Sequence, residues 1–244
     1  MNLLTNTGIV DKEQTLRYSR LISLDSIGEV GIEKLISGRV LIVGCGALGS
    51  LCAMYLSSSG VGTLGLADFD TIDVSNLQRQ LFFDETNLGS LKLEVLTDRV
   101  KAINSTVKII EYPVMINEKR AGEIFPLYDF IIDGSDNPNT KNITAITCEK
   151  FRIPYCIGGV REFGGQVMSW SPGHSGYREI FGDIPSCNGF TPCSIAGVLG
   201  PAAGVVASVQ AAEAIKYLTG AGKMLYDRLY SFDLAENRTQ IFSF

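Results

Sequence analysis

The chain has 244 residues, of which 45% are hydrophobic and 19% are charged. These are the values of a globular protein large enough to bury a sizeable core, and they exclude a disordered or low-complexity chain. The net charge of −5 and the scattered Lys and Arg residues argue against a nucleic acid as the partner.

The first predicted elements are two helices over residues 10–36, where charged and apolar positions alternate. Residues 1–13 lack the basic region and apolar run of a signal peptide. We therefore expect a cytoplasmic protein.

A glycine-rich turn, GCGALG at 44–49, follows a predicted strand at 39–43 and leads into a helix predicted over 48–59. Such a turn needs glycine for a tight bend, for close approach of the backbone to a phosphate and for close packing of helix on strand. The next predicted strand, at 63–67, ends about 20 residues further on at an acid that is suited to bind a ribose. The pattern predicts a nucleotide site that contains Gly44, Gly46, Gly49 and Asp68.

Two cations follow the turn: Arg79 in the polar segment 70–80, and Lys92 at the start of a helix predicted over 91–103. A hydride-transferring dehydrogenase is the usual interpretation of the glycine fingerprint. Arg and Lys beside a nucleotide instead suit a triphosphate whose charge must be neutralised during reaction. The alternative interpretation of Arg79 and Lys92 is a solvated pair on the surface.

Asp136 lies just beyond a strand predicted at 130–133. An acid at the carboxyl end of a strand, near a phosphate site, is a suitable magnesium ligand. The alternative for Asp136 is a helix N-cap before Pro138.

The other predicted elements indicate an α/β fold, with a Rossmann-like, mostly parallel sheet that has helices on both faces. Further strands at 107–112 and 154–157 alternate with helices at 118–124 and 139–151. Antiparallel strands at 163–170, 227–233 and 238–242, with a helix at 205–218, extend the sheet in the C-terminal third. We expect a single domain over 1–244, made of N-terminal helices (1–37), a nucleotide-binding core (38–160) and an antiparallel extension (161–244).

Residues 195–212 carry no charge and could be taken for a membrane span. The stretch is rich in Gly, Ala and Ser, contains Pro201 and runs into Glu213 and Lys216. It therefore predicts a loop followed by a buried helix, and no membrane association is expected.

The six cysteines form no CxxC pair, which is consistent with free thiols in a reducing compartment. Those at 45, 52, 148 and 156 lie in apolar or helical runs and are expected in the core. Cys187 and Cys193 lie in or beside a segment rich in Pro, Gly and Ser, which predicts a loop where a thiol can become reactive. An inert thiol is the alternative for both.

The chain resembles the ThiF/MoeB/HesA family of adenylyltransferases, which are related to ubiquitin-activating enzymes. The resemblance rests on motifs in family order over about residues 16–220: RYSR at 17–20, GCGALG at 44–49, DFD at 68–70, SNLQRQ at 75–80, DN at 136–137, GGQ at 164–166 and AGVLGP at 196–201. SNLQRQ is the most specific of these motifs.

The resemblance implies ATP-dependent adenylation of the C-terminal Gly-Gly tail of a small ubiquitin-like sulfur carrier protein, in the thiamin or molybdopterin pathway, with release of pyrophosphate. It assigns Asp68 to the ribose and Asp136 to magnesium. It assigns Asn76, Arg79 and Lys92 to the phosphates. It also implies a homodimer in which Arg20 reaches the partner's site, a carrier-binding role for 161–244, and a transfer role for Cys193.

The family usually carries a structural zinc held by two CxxC pairs. The first pair would fall at Gly176 and Glu179, and the C-terminus has no cysteine for the second. The single histidine, His174, cannot replace four ligands. We therefore expect no zinc in this chain.

Two other function classes remain open. An NAD-dependent oxidoreductase would need a proton-relay side chain, and the only histidine lies in the predicted loop. A non-catalytic partner subunit of an activating enzyme is the second alternative. The joint presence of Arg20, Asn76, Arg79, Lys92 and Asp136 argues against it.

Overall fold

The N-terminal part forms three helices instead of the predicted two. The structure, a computed structural model, describes residues 11–182 and 197–244. The helices are α1 (Lys12–Arg17), α2 (Ser19–Ile22) and α3 (Gly28–Ser37). The break between α1 and α2 falls at Tyr18, whose ring is buried and whose hydroxyl accepts a hydrogen bond from Asn104 Nδ2 at 2.9 Å. Tyr18 has φ −98° and ψ 11°, outside helical geometry. The local sequence does not reveal its contact with the distant Asn104.

The described strands form one sheet of eight, in the order β3-β2-β1-β4-β5-β6-β7-β8. Strands β1 to β5 pair in parallel, and β5 to β8 pair antiparallel. The bounds are β1 Arg39–Val43, β2 Thr63–Ala67, β3 Lys108–Tyr112, β4 Phe130–Asp133, β5 Tyr155–Arg161, β6 Gly164–Trp170, β7 Arg228–Asp233 and β8 Arg238–Ser243. The predicted fold class is confirmed, including its antiparallel C-terminal third.

Helices cover both faces of the sheet, with one apolar core on each face. The other α-helices within 11–182 and 197–244 are α4 Gly49–Ser58, α5 Lys92–Ile103, α6 Glu118–Ile124, α7 Pro138–Phe151, α8 Tyr177–Phe181 and α9 Gly200–Thr219. One core lies under α3, α4, α5 and α9, and the other lies under α6, α7 and α8. Strands buried on both faces explain the continuous apolar runs in β1, β2 and β4.

Helix α9 begins five residues earlier than predicted. Pro201 lies in its first turn, where a missing N–H costs nothing. The helix ends, as predicted, at Gly220, whose φ of +79° suits a glycine cap. Among the described residues, no helix has the length and apolar character to cross a membrane.

The strand order places a crevice between β1 and β4. Chain connections leave these two neighbours in opposite directions across the sheet, which makes this the topological switch point where such folds bind ligands. The glycine turn 44–49 follows β1, and the loop 134–137 follows β4. Two of the predicted site segments therefore meet at the carboxyl ends of adjacent strands.

Candidate functional site

The glycine turn is packed too tightly for side chains at two of its glycines. Gly44 has a φ of +81°, and a Cβ there would lie 3.0 Å from the backbone of Ser135. A Cβ on Gly49 would lie 1.8 Å from the Gly44 carbonyl oxygen and 2.9 Å from Ile42 on β1. The last glycine therefore permits helix α4 to lie against its strand. Helix α4 begins without a side-chain cap, and the N-terminus of a helix that directly follows a glycine turn is a suitable place for an anion.

Asp68 connects the glycine turn to the end of β2. Its carboxylate accepts hydrogen bonds from the Cys45 amide at 2.6 Å and from the Asp70 amide at 2.8 Å. Burial raises the pKa of Asp68, while the Asp70 amide and the charge of Lys92 oppose that rise. The acid therefore shapes the turn, in addition to the ribose contact that the sequence predicts.

Lys92 is buried at the start of α5, and its ammonium group pairs with Asp70. Nζ lies 2.8 Å from the Asp70 carboxylate, which is half exposed. The Lys92 amide also donates to the Asp70 carbonyl at 3.1 Å. The alternative of a solvated surface lysine is thereby excluded. Asp70, which the sequence analysis did not select as a site residue, is therefore the partner that holds the ammonium group of Lys92.

The SNLQRQ segment brings Arg79 and Asn76 to the same region. Arg79 is partly buried, and its guanidinium donates to the Ser75 carbonyl at 2.9 Å. The Asn76 side chain accepts from the Asp73 amide at 3.3 Å and caps a short 3₁₀ turn. A Cβ on Gly200, in the first turn of α9, would lie 3.1 Å from the Gln78 carbonyl oxygen, so α9 packs directly on this segment.

Gln80 ends this segment with its side chain against the glycine turn. The residue is 4% exposed, and its Nε2 lies 3.3 Å from where a Cβ on Gly46 would stand. Its Oε1 is buried and has no hydrogen-bond donor among the described residues. A buried unpaired acceptor is costly, so this atom fits a site that a bound polar ligand completes.

Asp136 is exposed at the carboxyl end of β4, in the loop 134–137. Asn137, and not Asp136, caps α7, since its side chain accepts from the Asn139 amide at 2.9 Å. Among the described residues, none donates a hydrogen bond to the Asp136 carboxylate. Magnesium usually takes one or two carboxylates together with substrate phosphates, so an open carboxylate beside a phosphate cradle fits that ion.

A buried ion pair that sequence reasoning missed lies below this loop. Asp133 is the last residue of β4 and is fully buried, and its carboxylate lies 3.1 Å from the Lys141 Nζ on α7. A buried carboxylate is costly unless it is paired, so an acid at the end of an apolar strand indicates a cationic partner. The identity of that partner depends on how α7 packs.

Arg20 lies far from the other predicted residues of its own chain. It is exposed on α2, two residues after Tyr18. Tyr18 packs on Gly60, beyond the C-terminal end of α4, and bonds to Asn104, beyond the C-terminal end of α5. The glycine turn and Lys92 lie at the opposite ends of these helices. Helices of ten and twelve residues separate the two ends by about 15–18 Å.

The cysteines that the structure describes, at 45, 52, 148 and 156, are all buried, as predicted. Burial raises the pKa of each thiol, so these groups are unreactive. Cys187 and Cys193 lie outside the described residues. The described chain resumes at Gly197, three residues before α9.

The positions where the family usually carries its first zinc-binding pair, Gly176 and Glu179, contact each other here. Gly176 precedes α8, and its amide donates to the Glu179 carboxylate at 3.1 Å. Within 11–182 and 197–244, no three His, Cys, Asp or Glu side chains are grouped as metal ligands would be. The donor set at Gly176 and Glu179 does not fit a tetrahedral thiolate site. The absence of zinc stays a prediction.

Solved structures share this fold. The crystal structure of selenomethionine PaaA aligns with a TM-score of 0.84 at 24% identity, covering 100% of this chain and 77% of that one. Escherichia coli MccB with MccA-N7isoASN aligns with a TM-score of 0.83 at 25% identity, covering 93% and 72%.

Curated relatives match over nearly the whole chain. The protein named "Probable adenylyltransferase/sulfurtransferase MoeZ" from Mycobacterium tuberculosis is 35% identical over 232 residues, covering 93% of this chain and 59% of the relative. "Adenylyltransferase and sulfurtransferase MOCS3" from Dictyostelium discoideum is 38% identical over 230 residues, covering 91% and 54%. The chain spans somewhat more than half the length of these relatives. The model of the ThiF family matches residues 18–244, and the chain therefore belongs to the ThiF family.

Proposed function

We propose that the chain adenylates the C-terminal glycine of a small ubiquitin-like sulfur carrier protein, using ATP and releasing pyrophosphate. The observation that carries the proposal is a chain of contacts at the switch point of a ThiF-family sheet. The glycine turn is joined to Lys92 through Asp68 and Asp70, and it packs on Ser135, the neighbour of Asp136. The names of the two curated relatives support this reaction type. The carrier belongs to thiamin thiazole or molybdopterin synthesis.

The reaction asks the protein to position two anions. The carrier's carboxylate is ionised at neutral pH and attacks the α-phosphorus without a general base. Lys92 and Arg79 stabilise the charge that develops on the phosphates, and the amides at the start of α4 bind a phosphate oxygen. Asn76 contacts the phosphates, and Asp68 holds the ribose. The buried Oε1 of Gln80 accepts a hydrogen bond from the bound nucleotide or its water.

Asp136 is the residue that holds magnesium in this proposal. When bound, the ion would neutralise part of the charge on the phosphates. Asp136 supports this role because it is exposed at the crevice, while the other acid of this strand end, Asp133, is occupied by Lys141.

The active form is a homodimer with two composite sites. Arg20 points to this arrangement because it lies at the far end of α4 and α5 from its own site and is exposed. The carrier docks on the antiparallel extension. In support, β8 is an edge strand whose residues are all exposed, with Ile241 and Phe242 among them. Edge strands with apolar side chains favour a partner protein.

Cys193 takes no part in adenylation, and in a later step its thiolate attacks the acyl adenylate, forming a thioester with the carrier and releasing AMP. The support comes from the sequence alone, because Cys193 precedes by three residues the AGVLGP motif at 196–201 that carries part of the family resemblance. Cys193→Ser is expected to keep pyrophosphate exchange and to lose any thioester link to the carrier.

Mass spectrometry of the carrier tests the proposal. Incubation of a carrier ending in Gly-Gly with enzyme and ATP should produce a carrier heavier by one AMP group. The matched control is the same carrier without its last glycine, which should stay unmodified. A carrier that never acquires AMP, while the enzyme reduces or oxidises a nicotinamide nucleotide, would favour the oxidoreductase alternative.

A further inference from the structure

The ammonium group of Lys141 joins three elements beneath the loop 134–137. Lys141 lies one turn into α7 and is 8% exposed. Its Nζ donates to the Ser135 carbonyl at 2.6 Å, to the Gly158 carbonyl at 2.7 Å and to the Asp133 carboxylate at 3.1 Å. An ammonium group has three N–H donors, and these contacts use all of them. Lys141 therefore has no donor left for a ligand.

Ser135 transmits this contact to the glycine turn. Its backbone packs on Gly44 so closely that a Cβ on the glycine would lie 3.0 Å from the Ser135 nitrogen and α-carbon. Asp136 is the next residue along the loop. The bond from Lys141 to the Ser135 carbonyl therefore fixes the place of Asp136 relative to the turn.

Another hydrogen bond to Asp133 provides a matched control for the contact between Lys141 and the loop. The Asp133 carboxylate accepts from Lys141, from the Ser135 amide and hydroxyl at 3.0 and 2.6 Å, and from the Thr144 hydroxyl at 2.7 Å. The Thr144 hydrogen bond is equally buried, but it joins α7 to β4 without touching the loop.

We propose that Lys141 is a positioning residue that holds Asp136 in register with the glycine turn, so that a divalent cation and a nucleotide bind together. The inference rests on the proposed nucleotide function and adds a residue to it. A displacement of about 1 Å in a reacting group lowers turnover by about a hundredfold, so a small movement of the loop matters.

Three variants separate positioning from stability. Lys141→Met combined with Asp133→Asn removes the cation without leaving a destabilising unpaired charge in the interior. The side-chain oxygen of Asn at position 133 can still accept from the Ser135 amide and hydroxyl, so the direct contact from this position to the loop is kept. Thr144→Val is the matched control for loss of a buried hydrogen bond. Lys141→Arg keeps the charge, but its planar donors cannot reach all three acceptors in the same way. Circular dichroism midpoints report folding for each variant.

The decisive readout is binding of ATP with and without Mn²⁺, measured by calorimetry. In the double variant we expect affinity for ATP with Mn²⁺ to fall by about tenfold or more, with metal-free ATP binding changed by less than about twofold. Amide exchange in 134–137 should rise. Thr144→Val should lower the midpoint but keep the wild-type affinity for ATP with Mn²⁺.

A folded double variant with wild-type affinity for ATP with Mn²⁺ overturns the proposal. If the double variant does not fold, Lys141→Arg decides: a loss of metal-dependent affinity supports positioning, and wild-type affinity overturns it. The binding readout needs no carrier and no turnover. Failure of adenylation in the wild type is therefore distinguishable from failure of this inference.

Discussion

At the residue scale, the side chains around the glycine turn differ in how firmly the protein holds them. Asp68 and Lys92 are buried and bonded to neighbours on both sides. Arg79 is partly buried with one bond to a carbonyl oxygen, and Asp136 is exposed. The buried residues set the shape of the site. The less constrained ones are available to bind a ligand.

The first prediction concerns Asp136. Asp136→Ala should lower carrier-dependent pyrophosphate exchange by about a hundredfold or more, because it removes the proposed magnesium ligand. The free energy of unfolding should change by less than about 0.5 kcal/mol, since the side chain is exposed. Asp98→Ala, at an exposed acid on α5, is the matched control and should behave as wild type. Full exchange activity in Asp136→Ala would remove the magnesium assignment.

Residues in local motifs could be predicted from the sequence, and residues that depend on packing could not. Gly49 and Asp68 belong to one strand-turn-helix-strand pattern, so spacing alone identified them. Lys141 and Asp133 lie on separate elements, and their pairing depends on how α7 packs on β4. Arg20 was named from resemblance alone. The distance of Arg20 from the site of its own chain depends on the contact between Tyr18 and Asn104, which the sequence does not reveal.

At the element scale, the site depends on helix α4 starting immediately after its strand. The backbone of the turn occupies the space that a side chain at Gly49 would need. The first amides of α4 can therefore lie at the switch point. A strand-to-helix connection of this length is possible only with glycine at that position.

The second prediction compares two glycines in helices. Gly49→Ala should lower the free energy of unfolding by about 1–3 kcal/mol and weaken ATP binding, because the added methyl overlaps the Gly44 carbonyl. Gly204→Ala on α9 has no atom within 4 Å of the new Cβ and should change stability by less than about 1 kcal/mol. Urea unfolding of both variants provides the measurement. Equal effects would show that the turn tolerates a side chain.

The third prediction concerns the anchor of the segment before α8. Asp227 accepts from the Ser175 amide and pairs with His174 Nδ1, each at 2.7 Å. These contacts lower its pKa below the usual value of about 3.9. Because the pKa of Asp227 is lower in the folded protein than in the unfolded one, its ionised carboxylate stabilises the fold at pH values above the unfolded-state pKa. That stability is lost as the pH falls through the folded-state pKa.

The Ser175 amide resonance should therefore titrate below pH ~3.9 in an NMR experiment. Asp227→Asn should abolish that titration. A midpoint at the ordinary Asp value would show that the contact is too weak to anchor the segment.

At the scale of the whole molecule, one chain does not bring all the predicted residues together. The glycine turn, Lys92, Arg79 and Asp136 surround the switch point, while Arg20 lies beyond the other ends of α4 and α5. A second copy that supplies Arg20 would complete the site. The proposed homodimer therefore predicts that activity depends on the oligomeric state.

The fourth prediction tests this link. Arg20→Ala and Lys92→Ala homodimers should each be inactive, because every site lacks one cation. Mixed dimers should regain part of the activity, since one of their two sites has both residues intact. Exchange assays after proven subunit mixing provide the measurement. If mixed dimers stay inactive, Arg20 acts within its own chain or has another role.

The most direct test of the central claim is ATP–pyrophosphate exchange in the presence and absence of a carrier protein that ends in Gly-Gly. Adenylation of a carboxylate is reversible, so labelled pyrophosphate should enter ATP only when the enzyme, magnesium and the intact carrier are all present. Removal of the carrier's last glycine should reduce the exchange to background. Exchange that is absent with every Gly-Gly carrier tested, from an enzyme shown to bind ATP, would contradict the proposal that this ThiF-family chain is a carrier-adenylating enzyme.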